Sequence, residues 1–478
     1  MRANWGDAAC VSIIAVEQLL GYLLAASNLE SQLISDAQMT RWLEHYRNRP
    51  ATLALIIGAA AHAVVLFGIL PLVSTSITPF YGIGFADNYD NLALNLLHGN
   101  GYRFSPETAQ TLMREPGYPV LLAAAFAIFG YSLAAARALN LLLTVAIALL
   151  LIRVVRGFTT DRRLGAAAVV LFLAHPGTVL AEARAGFEMA YAFCLLLFAW
   201  RFTQALNTRR LLDYFWAGGA LGLATLIRSS LIALPIVALV WFLFRPGAGR
   251  ARRLVVVEVL ILSLGLCVVI LPWAVRNYLL VDAIVPTATV SGIAFQTGEY
   301  VCRNRDTGHT LQELDYAARL ERGEIARAAG YHFEDNFFPF FYSAKDEVEF
   351  NRDLTRRVMH YYLSNPSVFI QCASLNLVNF WIAGKKPWVS ALNAVVQIPY
   401  VLLALLGAVW LVRRAGSNYV TPILLVIAYH MAIHSISIAQ ARYTVSLVPL
   451  LAVLGAQPLT ELWAWASARL RAVTLARG

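Results

Sequence analysis

The sequence predicts an all-α polytopic membrane protein, a bundle of about ten transmembrane helices with outer juxtamembrane helices and a large outer loop. Three observations predict it. The 478 residues are 59% hydrophobic and only 14% charged, with a mean hydropathy of +0.61, whereas about a quarter of a soluble domain is charged. Apolar runs of about 20 residues, the length a bilayer crossing needs, recur along the chain. Arginines gather in short clusters between these runs, as they do in cytoplasmic loops.

The net charge of +10 therefore reports topology, and no nucleic-acid partner is expected. The cysteines Cys10, Cys194, Cys267, Cys302 and Cys372 have no metal-binding spacing such as CxxC. Two of them sit in apolar runs as packing residues, and a Cys302–Cys372 disulfide is one available pairing. Residues 1–50 form a cytoplasmic or interfacial N-terminal extension. Asp7, Glu17, Glu30, Asp36 and Glu44 interrupt its hydrophobicity and no basic leader precedes an apolar core, so a cleavable signal peptide is not expected. The stretch VSIIAVEQLLGYLLAA (11–26) reads as an interfacial or packed helix. No internal repeat is visible.

The first span is ATLALIIGAAAHAVVLFGILPLV (51–73), preceded by Arg41, Arg47 and Arg49, which place its start in the cytoplasm. The first outer loop follows at 74–136. A second span (137–155) returns to RVVRGFTTDRR, a third (164–182) leaves, and a fourth (187–205) returns to NTRR. A fifth and sixth form a tight pair around LIRSS (226–230), and a seventh (254–273) goes out. The transmembrane core thus covers 51–276. A polar outer region with a juxtamembrane helix occupies 277–390, C-terminal spans at 391–412, 419–437 and 443–462 follow, and 463–478 is a cytoplasmic tail. YPVLLAAAFAIFGY (118–131) is short for a span. NPSVFIQCASLNLVNFWIAG (365–384), if it crossed, would strand the later arginines outside. Both are assigned to the outer surface.

Polar side chains gather on that outer side in five groups: GFADNYDNLALNLLHGNGYRF (84–104), REPGYP (114–119), LIRSS, LPWAVRNY (271–278) and AQARYTVSLVP (439–449). Arginine at an outer helix end runs against the usual charge bias. Such costly groups commonly face a polar cavity or a partner, although one arginine alone can simply snorkel. Several converging guanidiniums match phosphate oxygens and stay charged. At the outer leaflet the anion they suit is a lipid phosphate, and a carboxylate such as Asp87 could take a proton from an acceptor hydroxyl. Asp87 or Asp90 could equally cap a helix, and Glu188 could sit at a helix N-terminus for its dipole. His175, before Pro176, reads as structural. No nucleotide-binding glycine loop is present.

DNYDNLALNLLHGNGYRF followed by REPGYP resembles the first outer loop of GT-C glycosyltransferases. LPWAVRNY and ARYTVSLVPLLAVLGA resemble two further signatures of the branch containing protein O-mannosyltransferases, lipid A aminoarabinose transferases and their bacterial relatives. The resemblance covers roughly residues 51–460. It implies a GT-C-like helical bundle that moves a sugar from a polyprenyl-phosphate donor to an acceptor hydroxyl, with inversion, at the periplasmic or exterior face of a bacterial cytoplasmic membrane. Carried over, the catalytic acid is Asp87, with Asp90 still open because the spacing to Tyr89 departs from that of many relatives. Glu188 is a positional candidate for a second acid. The donor phosphate would meet Arg276 and Arg442, and Arg228 and Lys385 on charge and position. Arg114, Tyr118, Tyr89, Asn277 and Tyr443 would line the substrate cavity. The loop 277–365, with YHFEDNFFPFFY (331–342), would cover it.

The expected partners are the polyprenyl-phosphate-linked sugar, a lipid, glycan or protein acceptor, and membrane lipids. The sequence identifies no cofactor with certainty. Asp87, Asp90 and Glu188 with nearby histidines could hold a divalent cation, yet no ligand spacing argues for one. The alternative is a transporter or flippase of lipid-linked sugars. It would place polar residues through the midplane and show repeat symmetry, whereas here they concentrate on one side.

Overall fold

The computed structural model describes residues 49–72, 84–85, 87–244, 251–334 and 339–475. The expected helix at 11–26 and all of 1–48 lie outside these residues. The compact body runs from Ala54 to Gly478, and of the separate unit before it only 49–53 are described.

The chain is an all-α polytopic membrane fold, and its one sheet among the described residues is a two-residue pair, β1 (Phe333–Glu334) against β2 (Phe340–Phe341). The helices are α1 (Pro50–Leu72), α2 (Tyr89–Leu97), α3 (Gly117–Phe129), α4 (Leu133–Arg156), α5 (Arg162–Leu173) and α6 (Pro176–Ala183). Next come α7 (Glu188–Thr208), α8 (Leu211–Ile227), α9 (Leu234–Phe244) and α10 (Arg252–Val281). The outer region holds α11 (Ser291–Arg303), α12 (Leu311–Ala328), α13 (Ala344–Ser364) and α14 (Pro366–Ile382). The chain ends in α15 (Pro387–Ala415), α16 (Ser417–Ser435) and α17 (Val448–Leu475).

The apolar runs expected to cross fall on these helices, with 164–182 broken over α5 and α6 and 443–462 beginning in a 3₁₀ segment (Ala441–Leu447) before α17. Among the described residues six helices are long and apolar enough to span, or seven when the bent pair α5–α6, turned by 53°, counts as one. The about ten crossings expected from charge alternation exceed that number for a physical reason. The pair around LIRSS consists of short helices, Leu211–Ile227 and Ser229–Phe244. α16 dilutes its apolar residues with Asn418, His430 and His434. The stretches 118–131 and 365–384 form α3 and α14, of 13 and 17 residues.

Packing inverts the pattern of a soluble protein. On α10, Leu254, Val257, Leu260, Leu264, Val268, Leu271 and Val275 are exposed at helical spacing, while Val255, Glu258, Leu262, Gly265 and Leu266 are buried. The apolar face is left for lipid, and the opposite face meets α8. Small residues make that approach close. A Cβ on Gly218 would fall 1.9 Å from the Leu262 carbonyl oxygen, and one on Gly265 would fall 2.1 Å from that of Phe215.

Buried polar links join the other helices. His62 of α1 faces the Glu182 carboxylate of α6 from Nδ1 at 2.9 Å and the Leu173 carbonyl from Nε2 at 2.9 Å. Thr144 of α4 donates to the same carboxylate at 2.5 Å. In the outer region Cys302 and Cys372 are disulfide-bonded, tying α11 to α14. Cys194 is a buried packing residue, whereas Cys267 is exposed on α10.

Candidate active site

The site begins at a backbone reversal. Asp87 and Asn88 both take left-handed conformations, with φ of 57° and 59°, and α2 starts at the next residue. Outside glycine this geometry is uncommon and carries strain. The turn leaves the Asp87 side chain only 16% exposed. Tyr89, buried, packs edge-on against Tyr118 of α3 and Phe187 before α7, with ring centroids 5.4 and 6.0 Å apart.

Arg114 of REPGYP brings Nη2 to 3.7 Å from Asp87 Oδ1, and its guanidinium lies 5.4 Å from the centroid of the Tyr89 ring. The carbonyls of Arg114 and Glu115 accept from the Tyr102 hydroxyl at 3.1 and 2.9 Å. The Glu115 carboxylate accepts from the Ser229 backbone N–H at 2.7 Å, fastening the loop to LIRSS. The fit is tight: a Cβ on Gly117 would lie 2.8 Å from the Leu226 carbonyl oxygen.

From the other side come Arg228 and Arg442. Arg228 lies between the rings of Phe187 and Tyr443, 5.3 and 4.6 Å from their centroids. Its Nη2 reaches His434 Nε2 at 3.4 Å. The Nδ1–H of His434 donates to the Ile438 carbonyl at 3.0 Å, which leaves Nε2 as the acceptor. His434 stacks on Tyr443 with centroids 4.4 Å apart. Arg442, on a 3₁₀ turn at Ala441–Leu447, donates to the Tyr443 hydroxyl at 3.2 Å.

These charges converge on Asp87. Burial alone would push its carboxyl up, but the guanidiniums of Arg114, Arg442, Arg184 and Arg228 outweigh it and hold the group below the usual carboxylate value. Lys385, in the break between α14 and α15, belongs to the same field. Its ammonium is held below the usual lysine value by loss of hydration and then by Arg442 and Arg184, with Asp315 and Asp87 acting in the opposite direction.

The other expected residues divide. Asp90 is partly buried on the first turn of α2 and accepts from the Tyr131 hydroxyl at 3.0 Å. Glu188 is buried at the start of α7, its Oε2 lacks a hydrogen-bond partner, and its charge acts on Arg442. Arg276 and Asn277 have other engagements. Arg276 donates to the Thr111 carbonyl at 3.0 Å, Gln110 Oε1 at 2.9 Å and Asn277 Oδ1 at 2.9 Å, and lies 4.7 Å from the Trp273 ring centroid. Asn277 is fully buried and donates to the carbonyls of Val285 and Thr287. Both sit at a junction of loops, and the charges that lead in lowering the Asp87 carboxyl are those of Arg114, Arg442, Arg184 and Arg228. Among the described residues no group of three or more His, Cys, Asp or Glu side chains could hold a metal ion.

Arg184 is the residue that sequence reading missed. It follows α6 in the segment ARAGFE (183–188). The signal was present, because Arg184 too stands at an expected outer helix end. Chemically the site pairs one ionised carboxylate with an excess of guanidinium charge, a combination that can bind an anion and accept a proton beside it.

Residues 113–274 match the family model described as dolichyl-phosphate-mannose-protein mannosyltransferase. A search of curated proteins gives no match. Among solved structures, the apo oligosaccharyltransferase of Archaeoglobus fulgidus is similar with a TM-score of 0.52 and 16% identity, over 90% of this chain and 52% of that one. The archaeal oligosaccharyltransferase AglB from the same organism, in complex with an inhibitory peptide and a dolichol-phosphate, gives 0.50 and 13% over 90% and 52%. This chain thus spans about half the length of those proteins. ArnT from Cupriavidus metallidurans, bound to undecaprenyl phosphate, covers 84% of this chain and 78% of its own at 15% identity. Its TM-score is 0.35. The segment 113–274 is thus similar to that mannosyltransferase family, and the helical fold is the one those oligosaccharyltransferases share.

Proposed function

We propose that the chain transfers a sugar from a polyprenyl-phosphate donor to an acceptor hydroxyl, with inversion at the anomeric carbon, at the outer face of a bacterial cytoplasmic membrane. The observation that carries this reading is the convergence of Arg114, Arg442, Arg184 and Arg228 on the carboxylate of Asp87. A family model named for a dolichyl-phosphate-mannose-protein mannosyltransferase and a neighbour of the same fold in complex with a dolichol-phosphate support this class of donor. Two features support the outer orientation: the arginine clusters between spans, and a disulfide in the region between α10 and α15, a bond that persists in oxidising compartments.

In the proposed reaction Asp87 accepts the acceptor hydroxyl's proton as that oxygen attacks the anomeric carbon. The bond from that carbon to the phosphate oxygen breaks, and the polyprenyl phosphate leaves carrying the electron pair. Arg228, Arg442 and Arg184, with Lys385 at the rim, bind its charge. Arg114 positions Asp87, and Tyr89, Tyr118 and Tyr443 form the walls. Glu188 contributes negative charge that acts on Arg442, and the outer region 277–390 covers the site.

The same field that ionises Asp87 also makes it a weak base. A bound phosphate answers this, because its negative charge offsets the arginines and raises the basicity of Asp87 when the donor is present. The test is a transfer assay on the purified chain with synthetic polyprenyl-phosphate sugars, reading release of polyprenyl phosphate. Wild type should turn over, and Asp87→Asn should lose transfer while keeping its thermal stability. Full activity in that variant would remove Asp87 as the base.

A further inference from the structure

The segment that presents Arg184 is held by buried side chains of two neighbouring helices. On α4, Arg137, Asn140 and Thr144 stand at i, i+3 and i+7 on one face, and all three are buried. Each reaches that segment. Arg137 Nε donates to the Ala183 carbonyl at 3.4 Å, Asn140 Nδ2 to the Gly186 carbonyl at 3.4 Å, and the Thr144 hydroxyl to the Glu182 carboxylate at 2.5 Å. His62 of α1 completes the clamp. Its Nε2 faces the carbonyl of Leu173, the last residue of α5, and its Nδ1 faces the carboxylate of Glu182, in the last turn of α6. One ring therefore bridges both sides of the 53° bend between those helices. A proton on each ring nitrogen serves both oxygens, and the resulting cation balances the fully buried carboxylate.

Helix packing alone does not need this arrangement, because ionisable groups inside a bundle are costly and commonly serve a polar site. The anchored atoms flank Arg184, with Glu182 and Ala183 before it and Gly186 after it. Ala185, between them, takes a left-handed conformation with φ of 49°, which a residue other than glycine keeps only where its surroundings over-determine it. The Arg184 side chain is not used up in the clamp. Among the described residues its Nε is buried without a hydrogen-bond partner, and its charge acts on Asp87 and Lys385. The backbone is fixed and the guanidinium is left for a ligand.

We propose that the His62–Glu182 pair is a positioning device for Arg184, fixing its guanidinium where a phosphate leaves beside Asp87. The role rests on the proposed sugar transfer. A guanidinium preset in this way needs little reordering when the anion arrives, and that preorganisation strengthens binding.

The experiment titrates the purified full chain in detergent with polyprenyl phosphate, alongside thermal unfolding. His62→Leu together with Glu182→Leu removes the pair without stranding a buried charge, a replacement that buried ion pairs commonly tolerate. This variant should keep a near-normal melting temperature and bind polyprenyl phosphate roughly 10-fold more weakly, the loss of about one charged hydrogen bond. Arg184→Ala should weaken binding by a similar factor, and the triple variant should lose no more than Arg184→Ala alone. A purely structural pair would not show that coupling. Losses that multiply in the triple variant would overturn the positioning role. Should the pair variant fail to fold, Arg137→Met removes the anchor at Ala183 from α4 and should show the same coupling to Arg184→Ala; retained affinity there would equally overturn the role. A wild type that binds polyprenyl phosphate, with a pair variant that binds it equally well, tells against the role alone. A wild type that binds none would overturn the sugar-transfer reading and this role together.

Discussion

Arg114 holds the Asp87 carboxylate at 3.7 Å while its guanidinium packs over the Tyr89 ring. It is first among the charges that keep the Asp87 carboxyl low against the opposing effect of burial. An acid with a depressed folded pKa keeps its charge above that value and loses it only as pH falls through it. The stability it contributes is therefore present above the unfolded value of about 3.9. Arg114→Met preserves much of the packing and deletes the charge. The acid limb of the kcat/KM profile should move to higher pH in this variant, and an unmoved limb would separate Arg114 from the ionisation of Asp87.

Asp87 and Asp90 are separable by the same assay. Asp90 is already engaged by Tyr131, so Asp90→Asn should keep transfer within a few-fold of wild type. Asp87→Asn should lose about 10²–10⁴-fold, the range for a general base. The reverse order would move the base to Asp90.

Arg442 and Arg276 should fail in different ways. Arg442 acts on Asp87, and Arg442→Ala should raise the donor KM or lower kcat at near-normal stability. Arg276 joins loop atoms at Thr111, Gln110 and Asn277, so Arg276→Ala should lower the melting temperature and leave the donor KM of the folded fraction unchanged. A large KM effect at Arg276 would return it to the phosphate site.

Glu347 of α13 is a buried carboxylate that accepts from the Thr111 hydroxyl at 2.6 Å, the Leu112 N–H at 2.8 Å and the Thr289 hydroxyl at 2.9 Å. Burial pushes its carboxyl up, more than those bonds and Arg276 pull it down. A raised folded pKa in an acid means that stability is greatest below the unfolded value of about 4.3 and declines as pH rises through the folded one. Glu347→Ala should cost about 1–3 kcal/mol by leaving donors unmet. Glu347→Gln should flatten the pH dependence of the melting temperature just above pH 4.3. Thermal unfolding across pH checks both.

Cys302 and Cys372 should resist maleimide labelling until they are reduced, and in intact cells a membrane-impermeant reagent should reach them after reduction. Replacing both with serine should cost about 2–5 kcal/mol. Free labelling without reductant would contradict both the bond and the outer placement.

The membrane fold was legible because apolar length and arginine placement are local properties of the chain. The Asp87 stretch, REPGYP, LIRSS and AQARYTVSLVP could be gathered on one side for the same reason. Arg276 shows where that logic stops. Arg276 and Arg442 look alike in sequence, each within two residues of a tyrosine at an expected outer helix end. Loop atoms from Gln110 and Thr111 satisfy one, while the other is turned toward Asp87. Arg184 carried the same sequence signal as the other arginines, and only its place in the field at Asp87, a property of packing, singles it out.

By itself the sequence determined that the chain is an all-α polytopic membrane fold and where its apolar helices fall. Hydration and charge bias act on each segment separately, so those properties need no knowledge of neighbours. Only the tertiary structure decided which guanidiniums share a field with Asp87, that Cys302 meets Cys372, and that His62 is matched to Glu182. Each joins residues far apart in the chain, and Coulomb interactions and hydrogen bonds act over a few ångströms of space, whatever the separation in sequence.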